Sequence, residues 1–387
     1  MAELVTSPAI AYTDPALKRR YEGHKIPMNT FFEAFIAQKL DVVGDLHQLM
    51  RERDVFMNYR LTAEQVRFLV QDFIPSLIFH TKKADRKFVT EHYDRGNDFF
   101  QYFLGDTMVY TSAFFQDEGD TLEEAQLRKI RHVGEKIHLK KGDRLLDIGC
   151  GWGTLVAETA AHFGADSTGV TISKNQSEFA TERIKARKLQ DSARVLTIDY
   201  RDIPKSRFDK ITVLEMAEHV GIRNFQKFLL QVRDLLDDDG IFFLQIVGKR
   251  VQTDPHDFTW LAFMSKYIFP GADASLPLGY VTNQLEKAGF EIHSVENINV
   301  HYGLTIHKWY LNWMKNRDKV VATYGEWWYR LWYIFLAWSS LIGEEGRAGC
   351  YQLVCNKARP GFDRLQWVGE DLSLSEFSEE QSKRKIA

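Results

Sequence analysis

Cysteine is scarce in this chain of 387 residues, which has only Cys150, Cys350 and Cys355. Three thiols cannot build a disulfide framework, and the last two lie in an apolar, strand-like run without histidine partners. The pattern points to a reducing compartment and no structural zinc. Long apolar runs are also missing. The most apolar window, Trp327 to Ile342, carries Arg330 and is shorter than the ~20 residues a spanning helix needs. It fits a helix packed over a pocket, with interfacial contact at a bilayer as the alternative. The opening residues, MAELVTSPAIAYTDPALKRRYEG, have neither a basic start followed by an apolar stretch nor a cleavage site. No secretion signal is read, and the expected place is the cytoplasm, with peripheral membrane contact left open. A net charge of -3 excludes a global pull towards nucleic acid. The local cluster Lys82, Lys83, Arg86, Lys87 is either a solvated helix face or a contact for anionic lipid headgroups.

With 44% apolar residues the chain can bury one large core or two smaller ones. The stretch LLDIGCGWG, Leu145 to Gly153, reads as a buried strand, a glycine turn and a helix starting at about Thr154. Glycines in such a turn let the backbone pass close under a ligand, although dehydrogenases, flavoproteins and ordinary tight turns use similar glycines. After it, strands at 167–172, 195–199, 208–214 and 241–247 alternate with helices at about 176–188 and 224–236. That alternation predicts a parallel sheet covered on both faces, an α/β doubly wound fold. Residues 1 to about 75 show helical periodicity: Phe31, Phe32, Phe35, Ile36 and Leu40 share one face, and Val66, Leu69, Val70 and Phe73 another, with Pro75 closing the second helix. The stretch 92–115 is rich in aromatics and poor in periodic polar positions, so it is read as a cover over a cavity and not as a simple amphipathic helix.

Ligands of doubly wound sheets bind at the carboxyl ends of the strands, so the residues just after each strand carry the argument. A nicotinamide cofactor calls for an acid after the second strand. Thr171, Ser173 and Gln176 stand there instead, against a dehydrogenase. After the third strand, Asp199 offers a carboxylate to an adenine amine and Tyr200 a ring to stack. An adenosyl group without a pyrophosphate means S-adenosylmethionine.

Seven motifs in one order then carry a family resemblance: HYDRGNDFF at 92–100, MVYTSAFF at 108–115, LDIGCGWGTL at 146–155, GVTISKNQ at 169–176, DYRDIP at 199–204, EMAEHVG at 215–221 and KYIFPGADASLP at 266–277. Together they resemble the cyclopropane-fatty-acid synthase family of S-adenosylmethionine-dependent methyltransferases, and look most like its fungal sphingolipid C9-methyltransferases. The resemblance implies a seven-stranded class I (Rossmann-like) sheet at 89–358, to which the residue pattern adds an N-terminal helical cover at 1–88, a helical lid inserted at about 303–345 and a polar tail at 359–387. It also implies cofactor contacts. Tyr110 and Thr111 match the pair that closes over the methionine part, and Asp147, Gly149, Gly151 and Gly153 the loop beneath it. Thr171 and Gln176 match the segment at the ribose, and Tyr200 with Arg201 the one beside the adenine.

A sulfonium methyl needs an aligned nucleophile and a dry site, so positioning and electrostatics carry the catalysis. In the family an alkene attacks and leaves a carbocation. By the resemblance Glu218 holds the catalytic glutamate position and Tyr302 the catalytic tyrosine. His219 stands as either an orienting group or a structural hydrogen-bond partner. The cyclopropane synthases hold a bicarbonate ion as base, with a cysteine where this chain has Ser112 and a histidine where it has Gln245. Both residues can still donate to a bicarbonate-like anion, but the titratable imidazole is gone. Methyl transfer without ring closure is therefore expected. The insertion, rich in Trp309, Trp313, Trp327, Trp328, Trp332 and Trp338, is read as a lid whose inner face forms an apolar substrate pocket or simply packs. The leading expectation is C-methylation of an unsaturated acyl or sphingoid chain. N- or S-methylation of a small metabolite, cyclopropane synthesis and a non-catalytic cofactor-binding role are the alternatives. The expected partner is a lipid or apolar small molecule, not nucleic acid; the oligomeric state stays open.

Overall fold

The computed structural model describes residues 9–73, 95–252, 254–269 and 276–368. The basic cluster Lys82, Lys83, Arg86, Lys87, the helix-closing Pro75, residues 92–94 and 270–275 of two motifs, and the tail from 369 lie outside the described residues.

The first layer runs through β1 (Ala9–Tyr12), α1 (Pro15–Tyr21), β2 (Ile26–Pro27), α2 (Met28–Ile36), β3 (Leu40–Val43), α3 (Leu46–Arg51), α4 (Arg53–Phe56), β4 (Met57–Asn58) and α5 (Ala63–Phe68). Helices dominate, but β1 pairs with β3 and β2 with β4, two small ribbons that the helical periodicity did not announce. Phe31, Phe32, Phe35 and Ile36 are buried on α2 as expected. Leu40 is not on that helix. The backbone turns at Gln38, whose φ of 59° is incompatible with a continuing helix, and Leu40 opens β3 instead. The second stripe also fails as a buried face. Beyond Phe68 the helix widens into a π-turn at Leu69–Phe73, and Val66 and Val70 are left exposed.

Helix α6 (Asn97–Leu104) takes up only part of the aromatic stretch: it is amphipathic, and it buries Phe99, Phe100, Phe103 and Leu104. Past Gly105 the chain runs without regular structure to Phe115. Helix α7 (Leu122–Lys136) starts at a capping box in which Thr121 and Glu124 satisfy each other's backbone N–H groups. The sheet then follows with β5 (Arg144–Ile148), α8 (Thr154–Phe163), β6 (Asp166–Thr171), α9 (Lys174–Ala186), β7 (Ala193–Thr197), β8 (Phe208–Leu214), α10 (Ile222–Leu235), β9 (Leu236–Lys249), α11 (Pro255–Phe263), α12 (Leu278–Lys287) and β10 (Phe290–Asn297). Three helices, α13 (Asn299–Lys315), α14 (Arg317–Tyr324) and α15 (Glu326–Glu344), precede the last strand, β11 (Ala348–Lys357).

Seven strands form one sheet in the order β10-β11-β9-β8-β5-β6-β7. The expected parallel pairing holds from β9 to β7, but β11 inserts antiparallel between β9 and β10. The sheet is therefore mixed. Its β9–β11 register sets Gln245 opposite Gln352 in the middle of the sheet. Two buried amides there need partners, and the Gln352 Nε2 donates to Gln245 Oε1 at 2.9 Å while Lys136 Nζ on α7 donates to Gln352 Oε1 at 2.8 Å. Lys136 is itself buried and pairs with Glu296. Lys136→Met should leave that carboxylate without its cation and cost about 3 kcal/mol, read as a lower denaturation midpoint. An unchanged midpoint would remove the ion pair from the stability argument.

The first layer and the inserted helices share one apolar core, which holds Phe31, Phe32, Phe99, Phe103, Trp309, Trp313 and Trp332 and sets the Phe32 ring against Trp338. Arg330, the charge inside the most apolar window, fastens α15 to that layer. It donates to the Phe35 and Leu40 carbonyls and pairs with Asp41 and Glu326. Among the described residues no helix is long and apolar enough to cross a membrane. All three cysteines are buried and unpaired.

Candidate functional site

Turns at the carboxyl ends of β5, β6, β7 and β8 face one cavity of about 160 Å³. Tyr110, Thr111, Asp147, Gly149, Gly151, Thr171, Gln176, Asp199, Tyr200 and Arg201 all line it, which brings ten of the eleven expected cofactor residues together. Gly153 does not line it. It caps α8 with φ of 72°, and a Cβ there would come within 2.6 Å of Ala180, so its smallness serves the packing of α8 on α9.

Each polar group in the cavity has a structural reason for its place. The Asp147 carboxylate is buried at the end of β5 and accepts from the Thr212 hydroxyl at 2.8 Å. Burial pushes it up to about 6, against the lowering effect of Thr212 and Lys129. Thr171 donates to Gln176 Oε1 at 2.8 Å, so these two side chains hold each other at the rim of α9. Asp199 is not simply open to an adenine amine: Arg201 donates to it from its backbone and from its guanidinium, at 2.7 to 2.9 Å. Arg201 also lies over the Tyr200 ring, whose edge meets Phe228. The trio is thus a preorganised wall. A buried acid, a hydroxyl–amide pair and an aromatic wall beside a glycine turn fit the amino, ribose and adenine parts of S-adenosylmethionine.

A second cavity, of about 190 Å³, opens beside the first. Trp260, Met264, Phe269, Ile306, Trp309 and Phe335 make it apolar, while Glu215, Glu218 and Tyr302 bring polar groups into it. The two cavities share Tyr110, Glu215 and His219. That junction is where a group held in one can reach a chain held in the other. Glu218 is buried, with Oε1 accepting from the Val247 N–H at 2.5 Å and Oε2 left without a hydrogen bond among the described residues. Burial first, then the neighbouring Glu215 charge, pushes it up to about 8. Burial and the same two carboxylates keep the Tyr302 phenol far above its ordinary range, so it stays neutral.

Ser112 and Gln245 line neither cavity. The Ser112 N–H and the Gln245 amide both donate to Glu215 Oε1, at 2.8 and 2.6 Å, and the Ser112 hydroxyl donates to the Ala113 carbonyl. A bicarbonate-like anion between them therefore does not fit, because a side-chain carboxylate already occupies the donors. Sequence reasoning placed Glu215 among the strand-end residues without giving it a role. It missed Lys129 altogether. This lysine is buried on the apolar stripe of α7, donates to Thr111 Oγ1 at 2.7 Å, and faces Glu215 and Asp147. Burial lowers it to about 8 while those two acids hold it up. A lysine in phase with Ala125, Gln126, Ile130 and Val133 was the available signal.

Residues 80–353 match the family model described as mycolic acid cyclopropane synthetase. A sphingolipid C9-methyltransferase of Komagataella phaffii is 45% identical over 94% of this chain and 77% of its own length. A cyclopropane synthase of Mycobacterium tuberculosis superposes with a TM-score of 0.68 at 27% identity, covering 70% of this chain and 98% of the other. A mycolic acid cyclopropane synthase solved with SAH and CTAB is similar at a TM-score of 0.67 and 27% identity, over 70% of this chain and 98% of that one.

Proposed function

As the chain belongs to the mycolic acid cyclopropane synthetase family and is an S-adenosylmethionine-dependent methyltransferase, we propose that it methylates an unsaturated carbon of a sphingolipid's sphingoid chain and releases a methyl-branched alkene. The observation that carries this reading is the apolar cavity whose wall includes the Glu215 and Glu218 carboxyls, joined to the cofactor cavity at Tyr110, Glu215 and His219. The relatives named as sphingolipid C9-methyltransferases support the lipid class.

When bound, S-adenosylmethionine supplies an electrophilic methyl group. Asp147, with Tyr110 and Thr111, would hold its methionine part, Thr171 and Gln176 its ribose, and Asp199, Tyr200 and Arg201 its adenine. The apolar wall of the second cavity takes the lipid chain and excludes water, so charges there act in a low dielectric. A cation left on the chain after methylation meets Glu215 and Glu218 on one side. Phe269 and Trp309 add aromatic faces, each such contact worth about 2 kcal/mol when desolvated. Tyr302 adds a neutral phenol to the same wall. The reading includes peripheral contact with a bilayer, because a sphingolipid chain must leave the membrane to enter.

Cofactor carrying a CD3 group tests the product. With an unsaturated ceramide in vesicles, the branched product should keep all three deuteriums and contain no ring. A cyclopropane with two deuteriums as the main product would refute the reading, and CD3 found on nitrogen or sulfur of a small metabolite would replace the substrate class. Protein that turns over vesicle-borne ceramide without ever co-sedimenting with the vesicles would remove the membrane contact.

A further inference from the structure

Glu215 stands at the end of β8 with a backbone φ of 52°, in the left-handed region where a residue with a side chain is strained. That conformation turns its carboxylate back onto three donors. The Ser112 N–H, the Gln245 Nε2 and, more weakly, the Cys350 thiol at 3.5 Å all converge on Oε1. We propose that the Glu215 carboxylate is the catalytic base of this enzyme, a side chain in the place of a diffusible anion, and that it removes a proton from the methylated carbon of the substrate chain. The inference rests on the lipid C-methylation reading above.

The donors are dedicated to a carboxylate. Gln245 has no choice of which end to present, because its Oε1 is taken by Gln352 Nε2, and the Gln352 carbonyl is in turn taken by Lys136. This buried chain of amides ends with an N–H aimed at Glu215. Lys129 adds a cation whose charge lowers Glu215, against the burial that raises it. Among the described residues Glu218 is lowered only by backbone N–H groups, those of Val247 and of Glu218 itself, and by no cation. The pair is thus divided, with Glu215 the better-supported anion and Glu218 the group more readily neutral. Glu215 also lines both cavities, whereas Glu218 lines the substrate cavity only.

The step balances without an outside base. The alkene's π pair forms the new carbon–carbon bond and leaves the neighbouring carbon cationic. Glu215 then takes the proton of the newly methylated carbon. The electron pair of that C–H bond closes a double bond to the cationic carbon, and the positive charge disappears. Glu215 is left as the neutral acid and returns its proton to water once product has gone.

In carbon-dioxide-depleted buffer, added bicarbonate should leave wild-type turnover of unsaturated ceramide unchanged. Glu215→Gln keeps the shape but not the basicity, and should lower kcat about 100-fold. Glu215→Gly relieves the positive φ and empties the donor site, so formate or bicarbonate should raise its turnover at least about tenfold. The same ions should do nothing for Glu215→Gln, whose amide still fills the space. Bicarbonate-dependent wild-type turnover, or wild-type turnover in Glu215→Gln, overturns the proposal. A wild-type protein that methylates no lipid would sink the functional reading instead. Formate calorimetry still decides the donor site in that case: binding to Glu215→Gly alone supports its occupation by Glu215, and equal binding to the wild type overturns it.

Discussion

Gly149→Val is expected to weaken S-adenosylmethionine binding about 100-fold. Gly149 has a φ of 83°, a conformation that a β-branched residue resists at a cost of order 1–3 kcal/mol. A Cβ built there would lie 2.5 Å from Met216 Cγ and 2.6 Å from its Cβ, too near the backbone for the methionine to swing aside. Met216 lines the cofactor cavity, so relief comes by pushing it inward or by shifting the turn that carries Asp147. The valine thus acts through Met216, not by standing in the cofactor's place. Overpacking of this kind costs about 1–3 kcal/mol, and roughly 3 kcal/mol in all corresponds to the 100-fold loss. Gly151→Ala is the control, since a Cβ at that position meets nothing within 4 Å. It should bind within about tenfold of the wild type, given a strain of about 1 kcal/mol at its φ of 53°. Calorimetry on both variants, with a thermal melt to show that each is folded, gives the answer. Unchanged affinity in Gly149→Val would sink the assignment of the cavity to the cofactor.

Glu218→Gln should lower kcat about 100-fold while leaving cofactor affinity intact, because Glu218 faces the substrate cavity alone. Its effect should depend on pH in a definite direction. The carboxyl is pushed up to about 8, so at pH 6 only about 1% of it is ionised in the free enzyme. If the carboxylate is the form that stabilises the cation, wild-type kcat/KM rises as pH climbs towards 8 and levels off above it. The glutamine variant lacks that limb. A variant with wild-type turnover, or one that keeps the same rise, would take Glu218 out of the mechanism.

Eight cavity residues, Asp147, Gly149, Gly151, Thr171, Gln176, Asp199, Tyr200 and Arg201, were legible in the sequence because strand, turn and helix follow one another within a few positions, whereas Tyr110 and Thr111 came from the family resemblance. LLDIGCGWG is a strand and its turn, and GVTISKNQ and DYRDIP are strand ends, so placing them needs only the rule that ligands gather at the carboxyl ends. Residues whose partners lie far along the chain were not legible in this way. Glu215 meets the Ser112 N–H across 103 positions, and Lys136 reaches Gln352 across 216. No periodicity encodes either contact. Asp199 was read as a free acid because its partner's geometry, not its neighbour's identity, decides whether it is engaged.

Local pattern by itself determined the α/β alternation, the glycine turn and the absence of a nicotinamide acid. These depend on residue type and spacing, which a chain carries before it folds. Tertiary structure alone decided that β11 enters antiparallel, since pairing direction is chosen by the path of the inserted helices and not by the strand's own residues. It also joined the N-terminal layer to the lid through Arg330 and the shared aromatic core. And it filled the expected anion site with Glu215. A buried donor must find an acceptor, and the nearest one was a carboxylate that the positive φ at the end of β8 had already turned towards it.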